Sequence, residues 1–509
     1  MSTQRDLVAV FLLGLPLRLH NFTLGSVTWD PIWSVYYSTP RHLISLLTHP
    51  WNEPHPPLYY IVLAVSRLLF GTSEISVRLP SLLAGVVVPP MVYLLGKELE
   101  GRQAGLISGV LAAVMPILVT FSQITRMYSQ LAAFGTLSML CFVQLYRQGW
   151  ASSRAAAYVV ASLGALHTMV FGGFVIMAQA LIVAAGLLGY IEAPSDEKLH
   201  QWGLLGCVLI LGTVPIAAAL YIRTQMGGGA GPSPPPSILQ FEVLLNSWVG
   251  HSAYVTATGS LALLGDFTTV VVFLIIIVSG ILLLFDSWQL RIDLSTWLPI
   301  LWLTTTVVTL FGVSIVMRNF TSQRFFIGVA AAVALGLGIG IARFDRPSIR
   351  GIAVVLLVAA MVTTSVGSVS SVATPDWKSG VTYLDSHAAE GATVFTDTVT
   401  TPNEVTFYSD REDYAVRYIE RNEPRLRQAA NTSSEVWVIG QSARAKWAIE
   451  FYNSKEQRRY AADIDGIYVA GYMTNQESDL DSGDDLVYRT HTSGLCRQDN
   501  YTGYYEISD

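Results

Sequence analysis

Long apolar stretches separated by short polar segments fill the first 372 residues of the chain. A membrane-spanning helix needs roughly 20 mostly apolar residues. Eleven stretches reach or approach that length, at about 6–22, 78–96, 104–121, 130–146, 155–171, 173–191, 202–222, 267–285, 294–317, 325–343 and 351–372. The pattern therefore predicts a polytopic α-helical membrane protein with about eleven transmembrane helices.

One shorter apolar run, Leu58–Phe70, does not fit this series. It contains Arg67 and ends at Gly-Thr-Ser-Glu, which suits a helix at the membrane interface better than a crossing helix. If it does not cross and the N-terminus is cytoplasmic, every cytoplasmic loop contains a lysine or arginine, including the three arginines of 343–350. We therefore expect the first loop, 23–77, and the C-terminal tail on the extracytoplasmic side.

After Thr374-Pro375-Asp376 the apolar runs become short and change period. Trp377–Ala389 and Ser442–Tyr452 have helical patterns, and three runs are typical of strands: Ala392–Asp397, Glu435–Gly440 and Gly466–Tyr472. Helices alternating with strands predict an extracytoplasmic α/β domain at residues 373–509, following a transmembrane domain at residues 1–372.

Charge separates the same two parts. The chain is 51% hydrophobic and 13% charged, about half the charged fraction of soluble proteins. Residues 373–509 hold 23 acidic and 13 basic side chains, whereas the first 372 residues hold 14 and 18. An acidic tail without a nucleic-acid-binding motif predicts that nucleic acid is not a partner. The three cysteines form neither a disulfide pattern nor a metal-binding spacing.

Residues 28–60 concentrate charged and aromatic side chains beside the membrane. The carboxylate of Asp30 follows the first apolar stretch, where partial desolvation can raise its pKa toward that of a general base. Alternatively, Asp30 simply begins a helix with Pro31 at its first turn. Prolines hold Glu53 and His55 rigidly ahead of Tyr59; the alternative is a stiff connector followed by interfacial aromatic residues.

Arginines at predicted extracytoplasmic helix ends form a second group of candidates. Arg78, Arg126 and Arg324 oppose the positive-inside trend, and guanidinium groups match the geometry of phosphate. We interpret them as ligands of an anionic group, with Tyr128 and His167 as weaker neighbours. The alternative for each arginine is a side chain that extends from a helix end to the membrane surface.

Metal binding has little support in the spacing. Asp30, Glu53 and His55 could together hold a divalent cation, but no metal-binding motif surrounds them.

Several segments carry a family resemblance: Arg18, Asp30, HPPLYY at 55–60, LFGTSEISVRLPSLLAG at 69–85, SQITRMYSQLAAF at 122–134 and QRFF at 323–326. The chain resembles, over most of residues 1–345, the GT-C class of integral-membrane glycosyltransferases. It is most similar to the dolichyl-phosphate-mannose–protein mannosyltransferase and aminoarabinose-transferase-like group. Members of that group often have Asp-Glu at the first-loop acidic site. Here Pro31 follows Asp30, so Glu53 competes for the role of base.

The resemblance implies an inverting, multi-pass glycosyltransferase of the cell membrane with its active site on the extracytoplasmic side. The donor would be a polyprenyl- or dolichyl-phosphate sugar, such as mannose, and the acceptor a protein or glycan. Asp30 and Glu53 would be catalytic, and six residues would bind substrate: His55, Tyr59, Arg78, Arg126, Tyr128 and Arg324.

Three alternatives remain open at this point. A lipid, in lipid A or the cell wall, could be the acceptor. A secondary transporter would be expected to show repeated halves, which this sequence lacks. The third alternative is a non-catalytic subunit whose tail binds a partner.

Overall fold

The structure is a computed structural model that describes residues 2–194 (except 24 and 54), 199–225, 293–317, 323–370, 375–418 (except 399) and, with short gaps, 435–473. The chain divides into two compact units. We call Met1–Phe22 with Tyr37–Val372 the membrane unit, and Thr23–Tyr36 with Ala373–Tyr504 the sheet unit. The beginning of the predicted first loop therefore groups with the tail.

The membrane unit is helical. Its helices are α1 (Ser2–Leu19), the last residue of α2 (Asp30–Tyr37), α3 (Pro40–Thr48), α4 (Leu58–Phe70), α5 (Glu74–Glu100), α6 (Arg102–Val114), α7 (Pro116–Phe121), α8 (Tyr128–Gln148), α9 (Ser152–Thr168), α10 (Gly172–Leu187), α11 (Leu199–Gln225), α12 (Leu294–Met317), α13 (Ala330–Ala342) and α14 (Pro347–Ser370). Two 3₁₀ helices, Pro50–Asn52 and Gln323–Val329, complete the described part.

Helices occupy each predicted span that falls within the described residues, and the predicted span 267–285 lies outside them. Six of the described helices are long and apolar enough to cross a membrane. The span predicted at 104–121 is broken, because Pro116 begins α7 and Met115 before it is extended. The chain is a multi-pass α-helical membrane protein, as predicted.

Polar contacts at one end of the bundle fix the direction of α5. Lys97 Nζ donates to Thr3 Oγ1 at 2.6 Å, and Arg102 forms two 2.7 Å hydrogen bonds with Asp6. The end of α5 and the start of α6 therefore lie beside the start of α1, and α1 and α5 are antiparallel. A crossing by α4 would have reversed α5, so this direction agrees with a non-crossing α4.

The opposite end of α1 is fixed by buried donors. Arg18 is fully buried, and its Nη1 donates to the carbonyl oxygens of Gly14 and Ala113 at 2.9 and 2.7 Å. Gln123, after α7, donates to the carbonyl oxygen of His20 at 2.8 Å. These bonds satisfy carbonyl groups where α1 ends and α6 breaks, so Arg18 has a structural role here.

Close packing holds the centre of the membrane unit. A Cβ atom on Gly338 of α13 would lie 2.6 Å from the backbone nitrogen of Ser108 in α6, so these backbones approach as small residues allow. Apolar side chains elsewhere point outward: Leu211 of α11 is 68% exposed and Val355 of α14 is 65% exposed. Such exposed apolar faces suit contact with lipid.

The sheet unit contains a five-stranded mixed sheet. Its strands are β1 (Thr393–Thr396), β2 (Ala415–Tyr418), β3 (Glu435–Gly440), β4 (Gln457–Ile464) and β5 (Ile467–Met473), in the order β2-β1-β3-β5-β4. β1 is parallel to β2 and β3, whereas β5 is antiparallel to β3 and β4. The helices α15 (Trp377–His387) and α16 (Thr401–Tyr408) accompany it.

The predicted small α/β domain is confirmed, with additions. β3 has its predicted bounds, and β1 and β5 lie within about a residue of theirs. The elements β2, β4 and α16 were not predicted from the sequence, and the predicted helix Ser442–Tyr452 lies only partly within the described residues. Trp377 and Leu384 of α15 pack in one buried cluster with Trp437 and Ile439 of β3, which joins helix to sheet.

Candidate active site

The Pro-rich segment before α4 holds a partly buried carboxylate. Glu53 Oε1 accepts a hydrogen bond from the hydroxyl of Tyr60 at 3.1 Å, and the ring of Tyr37 lies 5.5 Å from that of Tyr60. Burial raises the pKa of Glu53, and Arg126, the hydroxyls of Tyr60 and Tyr37, and Arg223 oppose the rise in that order. The result is a carboxyl group that holds its proton to a higher pH than usual and lies within the field of two arginines.

His55 lies in the same electrostatic environment. Burial lowers its pKa well below the usual value, and the charges of Arg126, Arg324 and Arg223 lower it further. Its Nδ1 atom is buried and makes no hydrogen bond within the described part of the chain. At neutral pH the imidazole is therefore uncharged, so it can accept a hydrogen bond as well as donate one.

A buried hydrogen-bond chain positions one of these arginines. The hydroxyl of Tyr59 pairs with Ser81 Oγ at 3.1 Å, and Ser81 Oγ donates to the carbonyl oxygen of Arg126 at 3.0 Å. Three segments distant in sequence, α4, α5 and the α7–α8 connection, are thereby tied at one point. Tyr128 is buried at the start of α8, with its ring 4.8 Å from that of Phe121.

The other two arginines come from later elements. Arg324 lies in the 3₁₀ helix before α13, with its guanidinium carbon 5.2 Å from the ring centre of Phe325. Arg223, near the end of α11, donates from Nη1 to the carbonyl oxygen of Trp51 at 3.0 Å. Sequence reasoning missed Arg223, although it follows an apolar stretch on the predicted extracytoplasmic side, as Arg126 and Arg324 do.

Two further candidates have local structural contacts. Arg78 Nη1 donates to the carbonyl oxygen of Phe22 at 2.5 Å, and Phe22 packs with Leu82 of the same helix as Arg78. The ring nitrogen Nε2 of His167 lies 3.1 Å from the carbonyl oxygen of Gly212 in α11. Arg78 thus holds Phe22, which lies three residues after the end of α1, and His167 connects α9 to α11.

Asp30 belongs to the sheet unit and is the first residue of α2. Trp29 before it has φ of +57°, a left-handed conformation that is uncommon for a residue other than glycine. Glu404 Oε1 accepts hydrogen bonds from the hydroxyl of Thr28 at 2.5 Å and from the backbone nitrogen of Trp29 at 2.9 Å. No sequence signal pointed to Glu404, because its partners lie more than 370 positions away.

Within the described residues, no group of three histidine, cysteine, aspartate or glutamate side chains is arranged to hold a metal ion. The structure therefore gives no support to the predicted binding of a divalent cation by Asp30, Glu53 and His55.

A family model described as dolichyl-phosphate-mannose-protein mannosyltransferase matches residues 40–225. YkcB of Bacillus subtilis, which is named as a mannosyltransferase, is 28% identical over 167 residues, 33% of this chain and 22% of YkcB. An undecaprenyl phosphate-alpha-4-amino-4-deoxy-L-arabinose arabinosyl transferase of Proteus mirabilis is 23% identical over 229 residues, 43% of this chain and 40% of that protein. The matches therefore span less than half of either relative.

The fold can be compared over a longer range. The structure of ArnT from Cupriavidus metallidurans in the apo state has a TM-score of 0.63 with this chain, covering 92% of it and 98% of ArnT at 10% identity. The same protein bound to undecaprenyl phosphate has a TM-score of 0.61. The family model and this fold confirm the predicted resemblance to GT-C glycosyltransferases.

Proposed function

We propose that this chain is a glycosyltransferase that takes a sugar from a polyprenyl-phosphate donor. The observation that carries the proposal is the set of three arginines, Arg126, Arg223 and Arg324, whose charges act on the segment of Glu53 and His55. With His55 neutral, these five groups carry a net positive charge even when Glu53 is ionised. Partly buried guanidinium groups suit a phosphodiester, and ArnT binding undecaprenyl phosphate supports a lipid-linked donor.

In the proposed reaction an acceptor hydroxyl attacks the anomeric carbon on the face opposite the phosphate. The bond from that carbon to the phosphate oxygen breaks, and its electron pair stays on the phosphate, where the arginines stabilise the developing charge. The hydroxyl proton passes to the carboxylate of Asp30 as general base. A single displacement inverts the configuration at the anomeric carbon.

Glu53 is the competing base. Its raised pKa makes its ionised form a stronger proton acceptor than an exposed glutamate, and Tyr60 orients it. We assign the base role to Asp30 and a polar-binding role to Glu53. His55 would hydrogen-bond a sugar hydroxyl, and Tyr59 would act by holding Arg126 through Ser81.

We further propose that the sugar is a hexose, mannose above all, and that the acceptor is a protein or glycan on the extracytoplasmic side. The mannosyltransferase family model over residues 40–225 and the name of YkcB support mannose. The basic residues at the opposite end of the bundle support that side, because Lys97, Arg102 and Arg343 lie there, as expected of cytoplasmic loops.

A lipid is the second candidate acceptor. It is favoured by the near-complete coverage of ArnT in the fold comparison and by the aminoarabinose transferase relative. The donor site would be the same, and the acceptor alone would differ.

Deletion of the gene, with mass spectrometry of surface proteins and membrane lipids, tests the function and separates the acceptors. Loss of a hexose from surface proteins supports the proposed acceptor, and loss of a sugar from a lipid supports the alternative. Re-expression of the wild-type chain should restore the sugar. If protein glycans and lipids are both unchanged in the deletion strain, the proposed function is wrong.

A further inference from the structure

The segment before Asp30 has an uncommon backbone that needs support. Trp29 has φ of +57° and a half-exposed side chain, at 53%. Left-handed backbone at a bulky residue persists when its surroundings determine it. The carbonyl oxygen of Trp29 accepts from the backbone nitrogen of Ile32 at 3.1 Å. The position of Trp29 therefore sets the start of α2, where Asp30 is the first residue.

Two side chains of α16 supply that support. Glu404 Oε1 accepts from both the hydroxyl of Thr28 and the backbone nitrogen of Trp29. The hydroxyl of Tyr408, one turn further along α16, accepts from the backbone nitrogen of Val27 at 2.5 Å. Consecutive residues ahead of Asp30 are thus held by one short helix, and the glutamate provides two of the three bonds.

The helix that carries Glu404 is itself fixed to the sheet. The hydroxyl of Thr401, in its first turn, donates to Asp397 at 3.0 Å. Asp397 follows β1 and also accepts from the backbone nitrogens of Gln441 and Ser442, at 2.8 and 2.6 Å. The fully buried carboxylate of Asp397, with its three donors, ties α16 to the ends of β1 and β3. Glu404 is therefore carried by a rigid part of the structure.

We infer that Glu404 is a positioning residue for Asp30, holding Thr28 and Trp29 so that α2 begins where the Asp30 carboxylate is needed. This inference rests on the proposed function, in which Asp30 is the base. Glu404 is 1% exposed, and burial raises its pKa to about 7. A glutamate buried at that cost, with two bonds to consecutive residues of one segment, is better explained by holding that segment than by general packing.

Because one oxygen of Glu404 accepts both bonds, substitutions can remove both bonds, one bond or neither. Glu404→Gln retains an oxygen that can accept both bonds, Glu404→Ala loses both, and Thr28→Val loses the hydroxyl donor alone. Asp376→Ala is the matched control. It removes the N-cap of α15, which accepts from the backbone nitrogen of Ser379 at 3.0 Å, and it does not touch residues 27–30.

The first measurement is hydrogen exchange of the peptide covering residues 27–32 in the full-length protein. Glu404→Ala should accelerate exchange at Trp29, and Glu404→Gln and Asp376→Ala should not. Unchanged exchange in Glu404→Ala would overturn the holding role. This measurement needs no turnover, so it reports on Glu404 even if the proposed function fails.

The second measurement is a kinetic cycle with Asp30→Asn. Glu404→Ala should lower kcat by about 10- to 100-fold, as small misplacements of reacting groups do, while the donor KM stays within about twofold and Glu404→Gln recovers most of kcat. In the Asp30→Asn background Glu404→Ala should add little, because the residue that it positions no longer acts. An equal loss in both backgrounds would mean that Glu404 stabilises the protein generally and does not act through Asp30.

Discussion

At the scale of single residues, the contacts distinguish predicted site residues that act on His55 from those that hold the backbone. The charges of Arg126 and Arg324 lower the pKa of His55, and Arg223 joins them from the end of α11, where no site residue was predicted. Arg78 contacts the backbone of Phe22. The outside position of an arginine could be read from the sequence. Which arginines act on Glu53 and His55 could not, because the α7–α8 connection, α11 and the 3₁₀ helix before α13 meet only through tertiary packing.

Replacement of Arg324 tests the phosphate site. A charge-assisted contact to a desolvated group contributes about 1.5–3 kcal/mol, so Arg324→Ala should weaken donor use roughly 10- to 100-fold. Arg324→Lys should recover only part of the loss, because the planar fork of donors is gone. Arg346→Ala, an exposed arginine elsewhere in the membrane unit, is the control. Normal donor KM and kcat in Arg324→Ala would remove Arg324 from the site.

Replacement of the two carboxylates tests the base. Asp30→Asn is nearly isosteric, so the protein should fold and bind donor, but the amide cannot take the acceptor proton. Loss of a general base costs about 10²–10⁴-fold in rate, so kcat should fall much further in Asp30→Asn than in Glu53→Gln. The reverse order of effects would identify Glu53 as the base.

At the scale of elements, apolar periodicity predicted most of what the structure contains. α4 and β3 have their predicted bounds, since each is a compact apolar run ending at glycine. β4 was missed because its sequence, QRRYAADI, begins with three polar residues, and its pairing with β5 determines its conformation. Glu404 was missed for a similar reason: an isolated glutamate in TPNEVTFY resembles a solvated side chain until Thr28 and Trp29 are placed beside it.

Burial of Glu404 predicts a pH dependence of stability. Its pKa is raised from 4.5 to about 7, so between these values the folded state binds more protons than the unfolded state. The associated stability is complete below about pH 4.5, is lost as the pH rises through about 7, and is on the order of 3 kcal/mol. The negative charge of Asp397 contributes to the shift in the same direction as burial.

This dependence can be measured by thermal unfolding of the full-length protein between about pH 4.5 and 8, with limited proteolysis to detect unfolding of the sheet unit. Glu404→Gln cannot titrate and should flatten the slope in that range. If wild type and Glu404→Gln lose stability equally over this range, another group is responsible.

At the scale of the whole molecule, the chain is a multi-pass helical membrane protein, and we propose that a lipid carries its donor sugar. Periodicity and charge distribution predicted the helical class, and α1 and α5 have the directions expected for a non-crossing α4. The sugar and the acceptor are not determined by helix pattern, because they depend on a few side chains whose neighbours come from distant segments.

Cysteine labelling tests the orientation of the chain. In a background without native cysteines, a cysteine at the exposed position 390 of the sheet unit should react with a membrane-impermeant thiol reagent in intact cells. A cysteine in place of Arg346, within the loop 343–350, should react only after permeabilisation. Labelling of position 346 in intact cells would contradict the proposed orientation.

A comparison of donor classes with the purified full-length protein tests whether the donor sugar is carried by a lipid. Labelled mannose would be offered on a short-chain polyprenyl phosphate or as its nucleotide diphosphate, together with extracted membrane acceptors from the deletion strain. We expect transfer from the polyprenyl-phosphate sugar, with release of polyprenyl phosphate, strong reduction in Arg324→Ala, and no transfer from the nucleotide sugar. Transfer from the nucleotide sugar without any use of the lipid-linked donor would rule out the proposed donor.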